Sequence, residues 1–361
     1  MTSTRVNEID LLRFFAALTV VFFHYSFRGY AADDMSVMPY PLLAPVSKYG
    51  YLGVELFFMI SGFVILMTAA SGSLRGFVVS RFVRLYPAFW ACCTITFAMI
   101  AAFGDSRYSV SVSQYLINMT MLSDFVGVSP VDGAYWSLFV EMRFYALVAV
   151  VLVIGRIHQA QLFLIAWLIA SIFLEILPLG KLRYLLIVDY SAYFIAGATF
   201  FLIWSQGVSL IRVGIIFLSW GLALIQSLNG LPGFEKHYNT SMSSYVVAGL
   251  ITTFFLAMFL VSLKRTGFVG RNRWLLAGAL TYPLYLLHQN IGFVVFNVAY
   301  PTVNPHLLLW GTFVVVLGTA YAVHIFVEKR LSLPIKNFIN NLLDSAQRLI
   351  KRSNERAKAR R

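Results

Sequence analysis

Long apolar runs separated by short polar segments dominate this sequence, and they restrict the folds that are open to it. A helix of about twenty apolar residues crosses the hydrocarbon core of a bilayer, and inside that core only helices and closed barrels satisfy their backbone polar groups. Of the 361 residues, 59% are hydrophobic and 12% are charged, against about 25% charged residues in a soluble domain. We therefore predict an all-α integral membrane protein built as a bundle of about ten transmembrane helices.

The predicted spans follow these apolar runs, and one stretch between them is ambiguous. Residues 109–125 are too polar for a confident span, so we interpret them as an interfacial or re-entrant piece. The predicted spans are residues 11–28, 50–70, 86–104, 136–155, 159–178, 184–204, 209–229, 244–263, 276–299 and 307–327.

Lysine and arginine residues are distributed unevenly between the two sides of this bundle. If the N-terminus is cytoplasmic, the inner segments hold Arg5, Arg75, Arg81, Arg84, Arg156, Arg212, Lys264, Arg265, Arg271 and Arg273. The outer segments hold only Arg28, Lys48, Arg107, Lys181, Arg183 and Lys236. Because cytoplasmic loops carry an excess of these residues, the distribution predicts that both termini lie in the cytoplasm.

The formal net charge of +13 does not indicate a protein that binds nucleic acid, because much of it lies in the C-terminal tail. We divide the chain into a membrane domain, residues 1–335, and a basic cytoplasmic tail, residues 336–361. Apolar residues recur between basic and polar ones, as expected of an amphipathic helix on an anionic inner leaflet. They are Phe338, Ile339, Leu342, Ala346 and Leu349. We expect residues 352–361 to be disordered.

Two ionisable residues interrupt the first apolar run. Arg13 and His24 are eleven residues apart, which makes three helical turns plus about 20°, so they share a helix face about 16 Å apart along its axis. Ionisable groups within a span are costly and usually face the protein interior or a wet cavity. The pair therefore indicates an anion clamp at one depth and a proton-transfer group at another.

Arg81 and Arg84 precede the third predicted span, and Pro87 lies where a new helix could begin. The two arginines are three residues apart and so are neighbours on a helix face. Guanidinium groups at a membrane boundary suit a phosphorylated ligand, because each binds phosphate oxygens in a fork. The alternative interpretation is positive charge that only sets the topology.

The fourth predicted span opens with several polar side chains. Glu141 and Arg143 are two residues apart, so they point in different directions and each needs a partner on another helix or an aqueous cavity. Trp136, Glu141 and Tyr145 lie roughly on one side and indicate the wall of such a cavity. Trp136 is alternatively an interfacial aromatic. Glu55, in the second span, is a further costly carboxylate, or else a structural partner for an arginine or tyrosine.

The ninth span carries a gradually turning polar stripe formed by Tyr282, Tyr285 and His288. A histidine of this kind is more often a hydrogen-bonded core residue than a catalyst. Glu328 follows the last span and stands beside Lys329 and Arg330, where it is either an interfacial ion-pair partner or a functional carboxylate.

Common nucleotide and metal motifs are absent from the sequence. It has no P-loop, no dinucleotide glycine fingerprint, no H-E-x-x-H motif and no metal-ligand cluster, so we predict no metal and no pump driven by nucleotide hydrolysis. The two cysteines, Cys92 and Cys93, are adjacent and are interpreted as small packing residues. A secondary transporter stays open as an alternative.

Taken in order, these motifs resemble the acyltransferase-3 family, bacterial integral-membrane acyltransferases that O-acetylate polysaccharides and similar acceptors. The resemblance covers about residues 5–335 and is to the stand-alone form, without an appended esterase-like domain. The matching segments are Arg13-x10-His24, Gly53-Val-Glu-Leu-Phe-Phe to Ser61-Gly62, Arg81-x-x-Arg84-Leu-x-Pro87, Trp136-Ser137-Leu-x-x-Glu141, Tyr282-Pro-Leu-Tyr-Leu-Leu-His288 and Glu328-Lys-Arg.

The resemblance implies transfer of an acyl group, usually acetyl, from acetyl-coenzyme A to a sugar hydroxyl, in the bacterial cytoplasmic (inner) membrane. It implies essential roles for Arg13 and His24 and supporting roles for Arg81, Arg84 and Glu328. Architectural or functional roles are both open for Glu55, Trp136, Glu141 and His288.

We hypothesise that coenzyme A enters from the cytoplasm and that Arg81, Arg84 and Arg13 hold its phosphates. The thioester then extends toward His24, which takes a proton from the acceptor hydroxyl, with Glu328 or Glu141 orienting the imidazole. An acetyl-histidine intermediate ranks second. Candidate residues of the substrate cavity are Glu55, Trp136, Ser137, Tyr145, Tyr282 and His288.

The expected partners are the lipid bilayer, acyl-coenzyme A and a glycan acceptor, lipid-linked in the favoured version, with no nucleic acid. Two alternatives stay open. One is an acyltransferase that acts on a cytoplasmic small molecule such as a macrolide, or on a peptide amine. The other is a secondary transporter of a lipid-linked sugar or an acyl group.

Overall fold

A computed structural model describes residues 5–177, 179–271 and 273–359 of the chain, with side chains described as far as Leu349. Within these residues the protein contains helices and no β-strand, as predicted. The longer helices are α1 (Asn7–Phe23), α2 (Gly53–Ala69), α3 (Leu74–Phe103), α4 (Val112–Asn118), α5 (Trp136–Val153), α6 (Ala160–Ile176), α7 (Val188–Gln206), α8 (Leu210–Tyr238), α9 (Ser244–Ser262), α10 (Leu275–Ala299), α11 (Pro305–Val323) and α12 (Lys329–Ala359).

Nine helical segments in the described part of the chain are long and apolar enough to cross a membrane. They are Asn7–Ala31, Gly50–Ala69, Leu74–Phe103, Gly133–Val153, Ile157–Ile176, Gly180–Gln206, Leu210–Tyr238, Ser244–Ser262 and Pro305–Leu349. This confirms a multi-pass membrane protein.

The tenth predicted span corresponds to α10, which is not among these nine segments. Its middle carries the polar run His288-Gln289-Asn290, and this run lowers its mean hydropathy. Helix α10 packs against α1, α3 and α11, and His288 and Gln289 are buried. The polar residues are therefore tolerated because protein, rather than lipid, surrounds them.

The third helix begins at Leu74, well before the predicted start at residue 86. Ser73 caps it by accepting a hydrogen bond from the backbone N–H of Gly76. The expectation that Pro87 opens a new helix is wrong, because α3 runs through it without a break. The prediction failed because it followed the apolar run, whereas the helix extends beyond that run into polar sequence. Arg81 and Arg84 consequently project from the body of α3.

Helices α2 and α7 pack backbone against backbone through two glycines. A methyl group on Gly62 would collide with the carbonyl oxygen of Phe194, and one on Gly197 would collide with that of Met59. Small residues permit such close approach between membrane helices. Gly62 therefore serves close helix packing, and the neighbouring Ser61 is buried in the bundle.

The C-terminal helix is fastened to the start of α3. A π-helical segment, His324–Glu328, joins α11 to α12, and α12 packs along α3. Arg75 Nη1 lies 2.5 Å from Asp344 Oδ1, and Arg75 Nη2 donates to the carbonyl of Asn340 at 3.0 Å. We call this end of the bundle, where α1 and α3 begin, the tail end.

The backbone of α12 extends to Ala359, and residues 360 and 361 lie outside the described residues. Contact with a membrane leaflet and disorder of residues 352–361 stay predictions. The short helix α4 and a 3-10 turn, Ser123–Val126, occupy the stretch interpreted as interfacial or re-entrant.

Candidate active site

A polar cavity of about 170 Å³ lies between α1, α2, α3, α5 and α10, and we call it the central cavity. Its lining residues are Arg13, Phe57, Phe58, Ser61, Val64, Arg81, Arg84, Leu85, Ser137, Leu138, Glu141, Tyr145, Thr281, Tyr282 and Tyr285. Several of the residues singled out in the sequence meet here, namely Arg13, Arg81, Arg84, Ser137, Glu141, Tyr145, Tyr282 and Tyr285.

Three guanidinium groups dominate the charge of this cavity, and the described lining contains one carboxylate, Glu141. Arg84 Nη1 lies 3.4 Å from Glu328 Oε1, so Glu328 stands behind Arg84 rather than in the lining. Arg81 Nη2 bonds the hydroxyls of Ser80 and Thr68 at 3.0 and 3.3 Å. The excess of positive charge favours an anionic ligand, and guanidinium groups suit phosphate.

Arg81 also holds an unused donor. Its Nε is buried and has no hydrogen-bond partner among the described residues. A buried donor without a partner is costly, and such a group is satisfied when an acceptor binds beside it.

Glu141 is held across the cavity by Ser61, whose hydroxyl donates to Glu141 Oε1. The predicted divergence of Glu141 and Arg143 is confirmed, because Arg143 turns away to the Tyr184 carbonyl at 2.9 Å and lies 3.9 Å above the Tyr184 ring. Trp136 does not form the cavity wall as expected. It begins α5 one and a half turns earlier, is 39% exposed, and packs on the rings of Phe58 and Tyr190.

Tyr285 lines the central cavity about one helical turn beyond Tyr282, the residue whose ring faces Arg84. Its hydroxyl lies 2.7 Å from Ser137 Oγ and donates to the Ala134 carbonyl at 3.1 Å. The His288 ring follows one helical turn later, with its centroid 5.5 Å from that of Tyr285.

His24 and His288 form a buried pair just beyond Tyr285. His288 Nδ1 lies 2.7 Å from the Tyr285 carbonyl oxygen, and a carbonyl oxygen only accepts, so this nitrogen carries the proton. His288 Nε2 is then an acceptor, and it lies 3.2 Å from His24 Nδ1. His24 Nδ1 also lies 2.8 Å from the Val20 carbonyl oxygen.

This hydrogen-bond chain defines the tautomer of His24. Both neighbours of its Nδ1 are acceptors, so Nδ1 carries the proton and Nε2 carries the lone pair in the neutral ring. A lone pair on Nε2 is what a general base needs. His24 is buried in the bundle.

The expected carboxylate partner of His24 is wrong. Val20 and His288 orient the imidazole through Nδ1, whereas Glu141 binds Ser61 and Glu328 binds His324 Nδ1 at 2.7 Å. His24 also lies outside the lining described for the central cavity, and it contacts His288, the neighbour of the lining residue Tyr285. The shared face of α1 therefore places Arg13 in the lining and His24 next to the His288 ring, outside that lining.

Two further predicted residues have a buried polar atom without a hydrogen-bond partner among the described residues. Glu55 lies outside the described lining of the central cavity, and its Oε2 is buried without a partner in the described structure. The Tyr282 hydroxyl is likewise buried without a described partner, while its ring lies 5.9 Å from Arg84 Cζ.

Sequence reasoning missed two contributors to this site. His324 and Glu328 are four residues apart in sequence, a spacing that signals contact on a helix and was overlooked. Ser61 belongs to one of the family motifs, but no sequence signal pairs it with Glu141, eighty positions away.

The bundle defines a multi-pass membrane protein whose interior holds a basic cavity. The acyltransferase-domain family known as acyltransferase-3 matches residues 6–325, and the chain belongs to this family. The resemblance drawn from the motifs is thereby confirmed.

Two curated relatives match parts of the chain. It is similar to nodulation protein 10 of Rhizobium leguminosarum bv. viciae, with 29% identity over 171 residues, 42% of this chain and 45% of the relative. It is also similar to an O-acetyl transferase of Shigella phage Sf6, with 25% identity over 177 residues, 45% of this chain and 50% of the relative. The chain thus spans about half the length of these relatives. No solved structure matches it.

Proposed function

We propose that this protein is an O-acyltransferase of the bacterial inner membrane, which moves an acetyl group from acetyl-coenzyme A to a hydroxyl of a cell-surface polysaccharide or its lipid-linked precursor. The observation that carries the proposal is a three-arginine cavity next to a buried histidine pair, in which His24 carries its proton on Nδ1 and its lone pair on Nε2. Family membership and the name of the phage relative support acyl transfer.

The donor enters at the tail end, which faces the cytoplasm in this proposal. Arg13, Arg81 and Arg84 bind phosphate oxygens, and the unused Nε of Arg81 supplies one of these bonds. The pantetheine arm extends along the cavity toward Tyr285. Rotation of the Tyr285 side chain, held in place by Ser137, brings the thioester to the imidazole of His24.

The acceptor hydroxyl approaches His24 from the opposite end of the bundle. His24 Nε2 takes the hydroxyl proton while the hydroxyl oxygen attacks the thioester carbonyl carbon. The carbon–sulfur bond then breaks, and the proton passes from His24 to the sulfur, which leaves as the coenzyme A thiol. His288 accepts the Nδ1–H bond throughout and stabilises the imidazolium that forms, as a third group does in a catalytic triad.

Reconstitution tests the reaction class. Purified protein in proteoliposomes receives radiolabelled acetyl-coenzyme A and a panel of lipid-linked glycans, with a macrolide and a peptide amine for comparison. We expect label on a glycan as an alkali-labile ester. Label on the small molecules alone contradicts the glycan proposal, and label on the protein without any acceptor favours the acetyl-histidine route.

A further inference from the structure

A second cavity, of about 590 Å³, lies at the tail end between the first turns of α3 and the C-terminal helix α12. We call it the tail cavity. Its volume is in the range of small-molecule sites. Its main polar lining residues are Arg75, Ser80, Arg84, Ser332, Lys336 and Asn340.

The tail cavity is basic, with one cation more available than the others. Arg75 is bound by Asp344 at 2.5 Å, and Arg84 lies 3.4 Å from Glu328. Lys336 is exposed and forms no ion pair with any residue that the structure describes. Its ammonium group is therefore the one best placed to meet an incoming anion.

The two cavities adjoin each other along α3. Arg84 lines both of them, and Arg81 of the central cavity bonds Ser80 of the tail cavity at 3.0 Å. Arg75 and Arg84 are nine residues apart, about 14 Å along the helix axis. A ligand that extends past Arg84 would have its phosphorylated end near α12 and a narrower arm among the three arginines.

We propose that the tail cavity binds the phosphorylated nucleotide end of the acyl-coenzyme A donor, and that α12 is therefore part of the donor site. This inference rests on the proposed function. Coenzyme A carries its phosphates on the nucleotide side of the pantetheine arm. Lys336 suits such a phosphate as a point charge, and the side-chain NH2 of Asn340 provides a further donor, whereas the Ser332 hydroxyl donates to the Glu328 carbonyl oxygen.

The proposal assigns a role to residues beyond those that define the family. The family match ends at residue 325, whereas Ser332, Lys336 and Asn340 all follow it. Helix α12 is held against α3 through Arg75, so these side chains project from a helix that is packed on the bundle.

The test compares donors that differ in their phosphates. Reconstituted Lys336→Ala is assayed with acetyl-coenzyme A, with its 3′-dephospho form and with acetyl-pantetheine. We expect KM for acetyl-coenzyme A to rise about three- to fivefold, the effect of one solvent-exposed charge contact, with kcat unchanged. KM for acetyl-pantetheine should not change, and Lys336→Arg should bring KM for acetyl-coenzyme A most of the way back to the wild-type value.

Arg348→Ala is the matched control. It removes an exposed charge from the same helix outside the cavity and should behave like the wild type.

Other outcomes separate the two claims. Wild-type protein that shows no transfer from acetyl-coenzyme A defeats the proposed function itself. Wild-type activity with an unchanged KM in Lys336→Ala, or an equal rise for acetyl-pantetheine, overturns only the tail-cavity assignment. A phosphate of a lipid headgroup has the same chemistry, so the assays are repeated in zwitterionic and anionic nanodiscs. An effect confined to anionic lipid means that Lys336 binds lipid and also overturns the assignment.

Discussion

At the scale of single residues, the contacts of His24 Nδ1 determine which tautomer the ring adopts. The Val20 carbonyl and His288 Nε2 both accept from His24 Nδ1, at 2.8 and 3.2 Å, and they leave Nε2 with the lone pair. His288 is held in turn by the carbonyl of Tyr285. A backbone carbonyl and a second imidazole thus take the place that a carboxylate fills in many catalytic triads.

Replacing His288 tests this arrangement. His288→Ala removes the acceptor beside His24 Nδ1, so we expect kcat to fall about 100-fold or more, with little change in KM for acetyl-coenzyme A. Thermal unfolding in detergent serves as the control for folding, because the ring is fully buried. A normal kcat in folded His288→Ala protein means that His288 has a packing role only.

Replacing Arg81 tests the phosphate clamp. Arg81→Ala removes the buried Nε donor and one of three guanidinium groups, so KM for acetyl-coenzyme A should rise about tenfold or more while kcat changes less. Initial-rate kinetics measure both constants. An unchanged KM rules out the clamp, whatever happens to kcat.

At the scale of helices, glycines decide how closely the elements around the site approach one another. Gly62 of α2 and Gly197 of α7 let the two backbones touch, which places Ser61 opposite Glu141. Membrane helices gain little from apolar burial against lipid, so this tight packing carries much of their association.

An alanine at this crossing should loosen it. Gly197→Ala places a methyl group on the Met59 carbonyl, so we expect a destabilisation of about 1–3 kcal/mol. Gly214→Ala on α8 is the matched control, because a methyl group there has open space around it and alanine favours the helix. Thermal unfolding of both variants in the same detergent distinguishes the two effects. Equal melting temperatures contradict the close crossing.

The membrane helices and most of the polar residues of the site could be predicted from the sequence. Apolar runs, and the charged residues that interrupt them, are local signals. The start of α3 at Leu74 could not be predicted, since its first turns lie outside the apolar run. The meeting of His24 with His288 could not either. The two residues are 264 positions apart, and only the packing of α1 on α10 joins them.

At the scale of the whole molecule, the proposal requires that the tail end faces the cytoplasm, where acyl-coenzyme A is present. The arginine and lysine distribution predicts this orientation. It places the three arginines on the donor side and the acceptor on the far side of Tyr285. Tyr285 then lies between the donor side and the acceptor side.

Cysteine labelling tests the orientation. Cys92 and Cys93 are buried and are first replaced by alanine. A membrane-impermeant maleimide should then label Arg330→Cys, at the tail end, only in inverted vesicles. It should label Arg107→Cys, beyond the far end of α3, in spheroplasts. The reverse pattern contradicts the orientation and the donor route together.

The most direct test of the central claim is acetyl transfer by His24→Ala in proteoliposomes. The account predicts that this variant folds, binds coenzyme A like the wild type and transfers no label from acetyl-coenzyme A to the glycan. His158→Ala, which changes an exposed loop histidine, is the matched control and should keep full activity. Wild-type transfer rates in His24→Ala would contradict the account, because they would show that the reaction does not need His24 as a general base.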